Sequence, residues 1–183
     1  MLIKNTNKQN LLKIVLILII IYLVFKDLIM ENYTIREVYQ KLKEYLPEKQ
    51  AKLMILHILH ETGIRSLDVK IKNKKIDYMS DQSFENVKNN NLLNMLDYKT
   101  LKFAKFATLK NFIEYALSIY IGDYYKKKYK KMLEDATKYD KEQMIATFCA
   151  DLVYYKFCIG KDCTYNSLYA SFTTLYNQFW NKL

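Results

Sequence analysis

The order of apolar and polar positions divides the chain into one long apolar run and a series of shorter amphipathic stretches. The run Leu11 to Phe25 (LLKIVLILIIIYLVF) is apolar except for Lys13. A segment that is apolar all round belongs in a bilayer or a deep core and not on a domain surface. Its uninterrupted part, Ile14 to Phe25, is shorter than the ~20 residues that cross a bilayer comfortably. Lys13 and Lys26 can snorkel, however, and Leu28, Ile29 and Met30 lengthen the segment. Lys4, Lys8 and Lys13 come first, which keeps the N-terminus inside. No small-residue processing site follows Phe25, so the segment is expected to remain as an uncleaved anchor. Residues 1–30 are therefore expected to form a cytoplasmic tail and one transmembrane helix, and residues 31–183 an outer domain.

Past the anchor the period becomes helical. Thr34-Ile-Arg-Glu37 has capping-box spacing and predicts a helix to about Leu46. Pro47 closes it and suits the first turn of the next helix, which is expected to run to about Glu61. Leu53, Met54, Leu56, Ile58 and Leu59 make that second helix apolar on nearly every side, as in the centre of a domain. Gly63 is its natural left-handed stop. Leu67, Val69 and Ile71 then alternate with Asp68, Lys70 and Lys72, and Ile76 and Tyr78 alternate with Lys75 and Asp77. This predicts a β-hairpin over 67–79 with a turn near Asn73. A short helix and loops are expected over 80–102. Further helices are expected from Thr108 to Gly122, Asp123 to Ala136, Asp140 to Phe157 and Tyr165 to Trp180. The fold class is thus mostly α, with one small β lobe.

Composition adds limits. Three Gly, one Pro and 15% aromatic residues fit a compact helical domain and argue against disorder or a many-turned β sandwich. The formal net charge is +10, most of it outside the first 30 residues, and favours an anionic partner. Tyr124-Tyr125-Lys126-Lys127-Lys128-Tyr129-Lys130-Lys131 interleaves aromatics and cations. Its plain reading is a helix with one solvated basic face and tyrosines folded inward, and for an outward-facing domain wall polymer or lipid headgroups are expected before nucleic acid. Cys149, Cys158 and Cys163 form no zinc pattern; in an oxidising compartment Cys158 and Cys163 can close a short loop.

Candidate chemistry concentrates at His60-Glu61-Thr62-Gly63. A carboxyl against apolar surface, near the negative end of a helix dipole, resists ionisation and can serve as a general acid. Lysozyme's catalytic glutamate is the standard instance of that logic. His57 and His60 share a helix face, but the zincin order His-Glu-x-x-His is missing, so no metal site is expected. His57 is expected in the core, and His60 beside Glu61.

These residues resemble the glucosaminidase domains of glycoside hydrolase family 73, whose members carry a helix ending in Glu-Thr-Gly. The likeness continues at Asn90-Asn91-Leu92-Leu93-Asn94-Met95-Leu96, similar to the family's Asn-Asn-Leu-Phe-Gly-Met-Lys. It continues at Phe103-Ala104-Lys105-Phe106-Ala107-Thr108-Leu109 with Phe112 to Tyr115, and at Ile159 to Tyr165, where Asp162 and Tyr165 match. It spans about Tyr33 to Trp180. The chain departs from the family at Asn94 (Gly), Leu96 (Lys), Ile159 (Tyr) and Cys163 (Pro).

The resemblance implies a lysozyme-like fold and a peptidoglycan hydrolase of the endo-β-N-acetylglucosaminidase type, bacterial or phage-encoded, that needs no cofactor. Glu61 would protonate the glycosidic oxygen. A second carboxylate would come from the lobe after it, with Asp77 ranked ahead of Asp68 and Asp81, unless the substrate's acetamido group takes that part. Tyr98, Phe103 and Tyr165 would stack on sugar rings, and Asn90 and Asn91 would bind acetamido groups. The partners implied are peptidoglycan glycan strands and, through the N-terminal helix, the membrane. The alternatives are a catalytically degraded relative that binds wall glycan or a partner protein, and a membrane-tethered basic domain unrelated to sugar.

Overall fold

In a computed structural model of the chain, the residues described are 13–19, 32–72, 75–76, 78–97, 100, 102–121, 127–157 and 163–183. They fall into two compact units, Met1–Glu31 and Asn32–Leu183. In the first unit, residues 13–19 form a helix, α1, and the side chains of Ile14 to Ile19 are all exposed. Among the described residues, no helix is long and apolar enough to cross a membrane; most of the expected anchor lies outside them.

Among the described residues, the second unit is mostly helical with two minimal sheets. Helix α2 (Ile35–Leu42) starts at the predicted capping box: the Glu37 amide donates to Thr34 Oγ1 at 3.1 Å, and the Thr34 amide donates to Glu37 Oε2 at 2.6 Å. Such reciprocal bonds satisfy two of the amides a helix start leaves unpaired. Helix α3 (Glu48–Thr62) is the central element. It packs against α2, α4 (Asp81–Lys88), α6 (Tyr129–Ala136) and α8 (Tyr165–Phe179). Burial on all sides follows from its sequence, since seven of its residues from Leu53 to Leu59 have side chains sealed in the interior. It ends at Gly63, whose φ of 74° is the left-handed stop. A Cβ there would run into the carbonyl oxygen of Tyr78, so the chain after α3 can close over the helix end only because the residue is glycine.

Ser80 caps α4, Thr108 caps α5 (Leu109–Ser118) and Thr164 caps α8, each hydroxyl accepting from the amide three residues on. Helix α7 (Lys141–Tyr154) completes the set, and a single 3-10 turn, Trp180–Lys182, follows α8. The strands are two residues long. β1 (Leu96–Asp97) pairs antiparallel with β2 (Lys102–Phe103), and β3 (Tyr120–Ile121) with β4 (Lys127–Lys128).

The predicted hairpin over 67–79 is a correction: none of the described residues in that span is in a strand. Leu67 and Ile71 are buried while Val69 is exposed, so the apolar spacing that matters is four residues, not two. The segment runs instead along the start of α2. The Leu67 carbonyl accepts from the Arg36 amide, and the Ile71 amide donates to the Tyr33 carbonyl. Of the predicted helix Asp123 to Ala136, Lys127 and Lys128 form β4 and α6 starts at Tyr129, while residues 123–126 lie outside the described residues.

Candidate functional site

The site is built on the last turn of α3. Glu61 sits at its C-terminal end, and its side chain is 17% exposed. It is therefore neither sealed in nor freely solvated. One turn earlier, the buried imidazole of His57 brings Nε2 to 3.5 Å from Glu61 Oε1. That is a close polar approach, longer than a full hydrogen bond. The other ring nitrogen, Nδ1, lies 2.9 Å from the hydroxyl of Tyr129 on α6. The rings of Tyr129, Phe148, Phe157 and Phe172 surround the imidazole, with centroids 4.8 to 5.9 Å away. His60, expected beside Glu61, turns to α8, where Nδ1 meets Ser171 Oγ at 2.8 Å.

Asn94 closes the far side of the carboxyl. Its amide donates to the Glu61 carbonyl at 2.8 Å and to Oε2 at 3.2 Å. Its backbone has φ of 50°, in the left-handed region. Asparagine enters that region more readily than other side chains, so the turn that presents the amide is open to it. Asn86 donates to Asn94 Oδ1 at 2.8 Å and fixes the orientation of the amide.

The electrostatics overturn one expectation. Burial pushes the Glu61 carboxyl up, but His57, through its N–H and its charge, the charge of His60 and the Asn94 amide outweigh that. The group titrates below the usual glutamate range. Apolar surroundings alone do not keep it protonated. His60 is likewise lowered, by burial first and then by the charge of His57, with Glu61 opposing and Arg65 adding to the effect.

The remaining expected site residues separate. Asn90 and Asn91 are interior groups, a correction to the sugar-binding role expected of them. Asn90 accepts from Tyr33 Oη and Lys72 Nζ and donates to the Phe106 carbonyl. Asn91 donates to the Met95 and Ala104 carbonyls and accepts from the Met95 amide. Both brace the loop that presents Asn94. Phe103 on β2 and Tyr165 on α8 are exposed, at 37% and 39%, with Tyr165 stacked on Tyr169. Asp77 and Tyr98 lie outside the described residues. Asp68 is held by Arg36 at 2.7 Å and Asp81 by Lys75 at 2.6 Å. Among the described residues, no cluster of three or more His, Cys, Asp or Glu is placed to hold a metal ion.

Sequence reasoning missed two residues of the site. Asn94 read only as a departure from glycine, although its tolerance of the left-handed region was the available signal. Tyr129 was expected to fold inward from its basic helix and is buried, but its sequence separation of 72 residues from His57 left no local signal of that pairing. Compared with known proteins, the chain matches no family model, no curated protein by sequence and no solved structure by fold.

Proposed function

We propose that the protein is a membrane-anchored glycan hydrolase of the endo-β-N-acetylglucosaminidase type, with Glu61 as the general acid for β-1,4 bonds of peptidoglycan. The observation that carries this reading is the meeting of two separate motifs at one acid. The Asn94 amide, from the Asn-Asn-Leu-Leu-Asn-Met stretch, lies on the carboxyl of the His-Glu-Thr-Gly stretch at the end of a buried helix. The resemblance to glycoside hydrolase family 73 rests on those same two stretches, in that order.

In this mechanism Glu61 gives its proton to the glycosidic oxygen as the bond to the anomeric carbon breaks. The cation-like carbon then needs support from a second group. Asp68 and Asp81 are committed to exposed ion pairs, so Asp77 or the substrate's own acetamido oxygen takes that part. Phe103 and Tyr165 offer exposed ring faces for stacking on sugars. Because the carboxyl titrates low, the acid form is populated at acidic pH. A sugar laid over Glu61 removes its remaining water and raises that titration in the complex.

The exposed apolar side chains of α1 and the charge pattern before them support membrane attachment. Cys163 is disulfide-bonded, which fits an oxidising, extracytoplasmic compartment. The low titration of Glu61 favours one other reading, a catalytically silent relative that binds wall glycan. A zymogram at pH values from acidic to neutral separates the two. The wild-type chain is expected to clear peptidoglycan, and Glu61→Gln to abolish clearing with an unchanged circular dichroism spectrum. Wall binding without clearing at any pH would leave the silent module standing.

A further inference from the structure

Of the chain's two arginines, Arg36 and Arg65, only Arg36 holds an acid among the described residues. Arg36 sends Nη1 to the Lys182 carbonyl at 2.7 Å and lays its Nε and Nη2 edge on the Asp68 carboxylate, at 2.7 and 3.3 Å. Arg65 uses Nη1 in the same way, donating to the carbonyls of Leu59 at 2.9 Å and Ile64 at 3.0 Å. Its Nε and Nη2 edge has no acceptor among the described residues, and no carboxylate acts on its charge. A guanidinium presents its N–H groups as a fork that fits a carboxylate. The Nη1 bonds cap the last turn of α3, where the helix dipole favours a cation. Capping accounts for one nitrogen and leaves the other edge over. Arg65 is half-buried, and burial works against its charge, with the Tyr78 phenol opposing that effect. A partly desolvated cation with no acid of its own is poised for an anion from outside.

The position of Arg65 matters as much as its charge. Leu59, whose carbonyl takes Nη1, lies two residues before Glu61 at the same helix end, and the charge of Arg65 reaches His60 there. Tyr78 comes to that end from the far side of Gly63, with its carbonyl against the glycine. Its side chain is 74% exposed, so the ring is open to solvent. A free guanidinium fork and an open aromatic ring therefore share the helix end that carries Glu61. The apolar face of a pyranose suits the ring, and a carboxylate carried by that sugar suits the fork. We propose that Arg65 and Tyr78 form a subsite for an acid-bearing amino sugar, with Tyr78 stacked on the sugar ring and Arg65 paired through Nε and Nη2 with a carboxylate on its side group. The inference rests on the glycan reading above and narrows it. Neutral β-1,4 amino-sugar chains lack the group Arg65 takes, whereas peptidoglycan carries one on the lactyl ether of a muramic acid unit or on the peptide attached there.

The test is calorimetric titration of the full chain in detergent micelles. The probes are the disaccharide N-acetylglucosaminyl-N-acetylmuramic acid, its uncharged methyl ester, and the same disaccharide carrying a dipeptide with a free carboxylate. The wild type is expected to bind at least one charged probe about tenfold tighter than the ester, and the tighter of the two identifies the source of the carboxylate. High salt is expected to narrow the gap. Arg65→Gln is expected to bring the charged probes level with the ester and to leave ester binding in place. Arg65→Lys keeps the charge without the fork and is expected to keep only part of the gap. Tyr78→Ala is expected to weaken all three probes. Near-UV circular dichroism reports the fold of each variant, and the wild-type gap between acid and ester stands as a test without any variant. Charged probes that bind no better than the ester, or no binding of any probe, overturn the subsite. So does a gap that Arg65→Gln leaves in place, or binding that Tyr78→Ala leaves unchanged. A zymogram on the same samples keeps the two readings apart: clearing without the gap removes the subsite and keeps the hydrolase, and the gap without clearing keeps the subsite on a silent, glycan-binding chain.

Discussion

At the scale of single residues, the site is a balance between burial and hydrogen bonding at Glu61. The helix-end acid was legible because Glu-Thr-Gly after an apolar helix is a local pattern. Its ionisation was not, because the groups that lower it come from Asn94, 33 residues away, and from a histidine oriented by Tyr129. Two outcomes follow from that balance. The pH dependence of kcat/KM reports the free enzyme and that of kcat the complex. On the proposed function, glycan turnover is expected to lose kcat/KM, as pH rises, at a lower pH than it loses kcat, the gap measuring how far bound sugar raises the acid. The second outcome concerns Asn94. Asn94→Gly keeps the left-handed backbone and removes the amide from the carboxylate, so the alkaline limb of kcat/KM is expected to move to higher pH with stability little changed. Asn94→Leu removes the same amide and adds backbone strain, with an expected loss of about 1–3 kcal/mol in denaturant unfolding. If both variants keep the wild-type pH profile, Asn94 has no part in tuning the acid.

At the scale of elements, the helices were legible where the sequence carries both a cap and an apolar face, as at Thr34, Thr108 and Thr164. The segment 67–79 was not. Leu67, Val69 and Ile71 satisfy an alternating pattern, but Leu67 and Ile71 alone also satisfy a four-residue spacing, and only the buried partner decides between them. That partner is the start of α2, whose carbonyl and amide groups take up the backbone of 67–71. The two-residue strands were equally invisible, since a pair that short has no period to read. The junction that matters most for the site is Gly63. Its left-handed backbone ends α3 two residues after Glu61, and the Tyr78 carbonyl lies where any side chain would go. Gly63→Ala combines unfavourable φ with a backbone collision, and is expected to cost about 2–4 kcal/mol. Thermal and denaturant unfolding of the variant would measure it. A loss below about 1 kcal/mol, the cost of φ alone, would mean that 78–79 moves away freely and does not fix the end of the helix.

At the scale of the whole molecule, the groups that equip the site also set how the fold answers to pH. Glu61 and His60 both titrate low in the folded chain, Glu61 despite its burial and because of its polar neighbours, His60 chiefly because of burial. Asp135, despite partial burial, is held low by Lys131, Lys138 and Lys127. A group whose folded titration is depressed adds stability above its unfolded value and loses it as pH falls. The His60 contribution therefore fades from about pH 6.5 downward, and the carboxylate contributions from about pH 4 downward. Between pH 7 and pH 4 the chain is expected to lose stability through His60, seen as a fall in Tm, with the carboxylates adding to the loss below that range. High salt screens exposed pairs such as Arg36 with Asp68, which contribute little to begin with. The interior groups keep their part, so most of the fall is expected to persist in salt. Glu61→Gln removes the carboxyl that must be protonated and should flatten the acid end of the curve; an unchanged curve would place the acid sensitivity elsewhere. Acid populates the proposed catalytic form of Glu61 while withdrawing the stability its ionised form supplies. If Glu61 is the acid of the proposed hydrolase, its working range is bounded below by the fold and above by the loss of that acid.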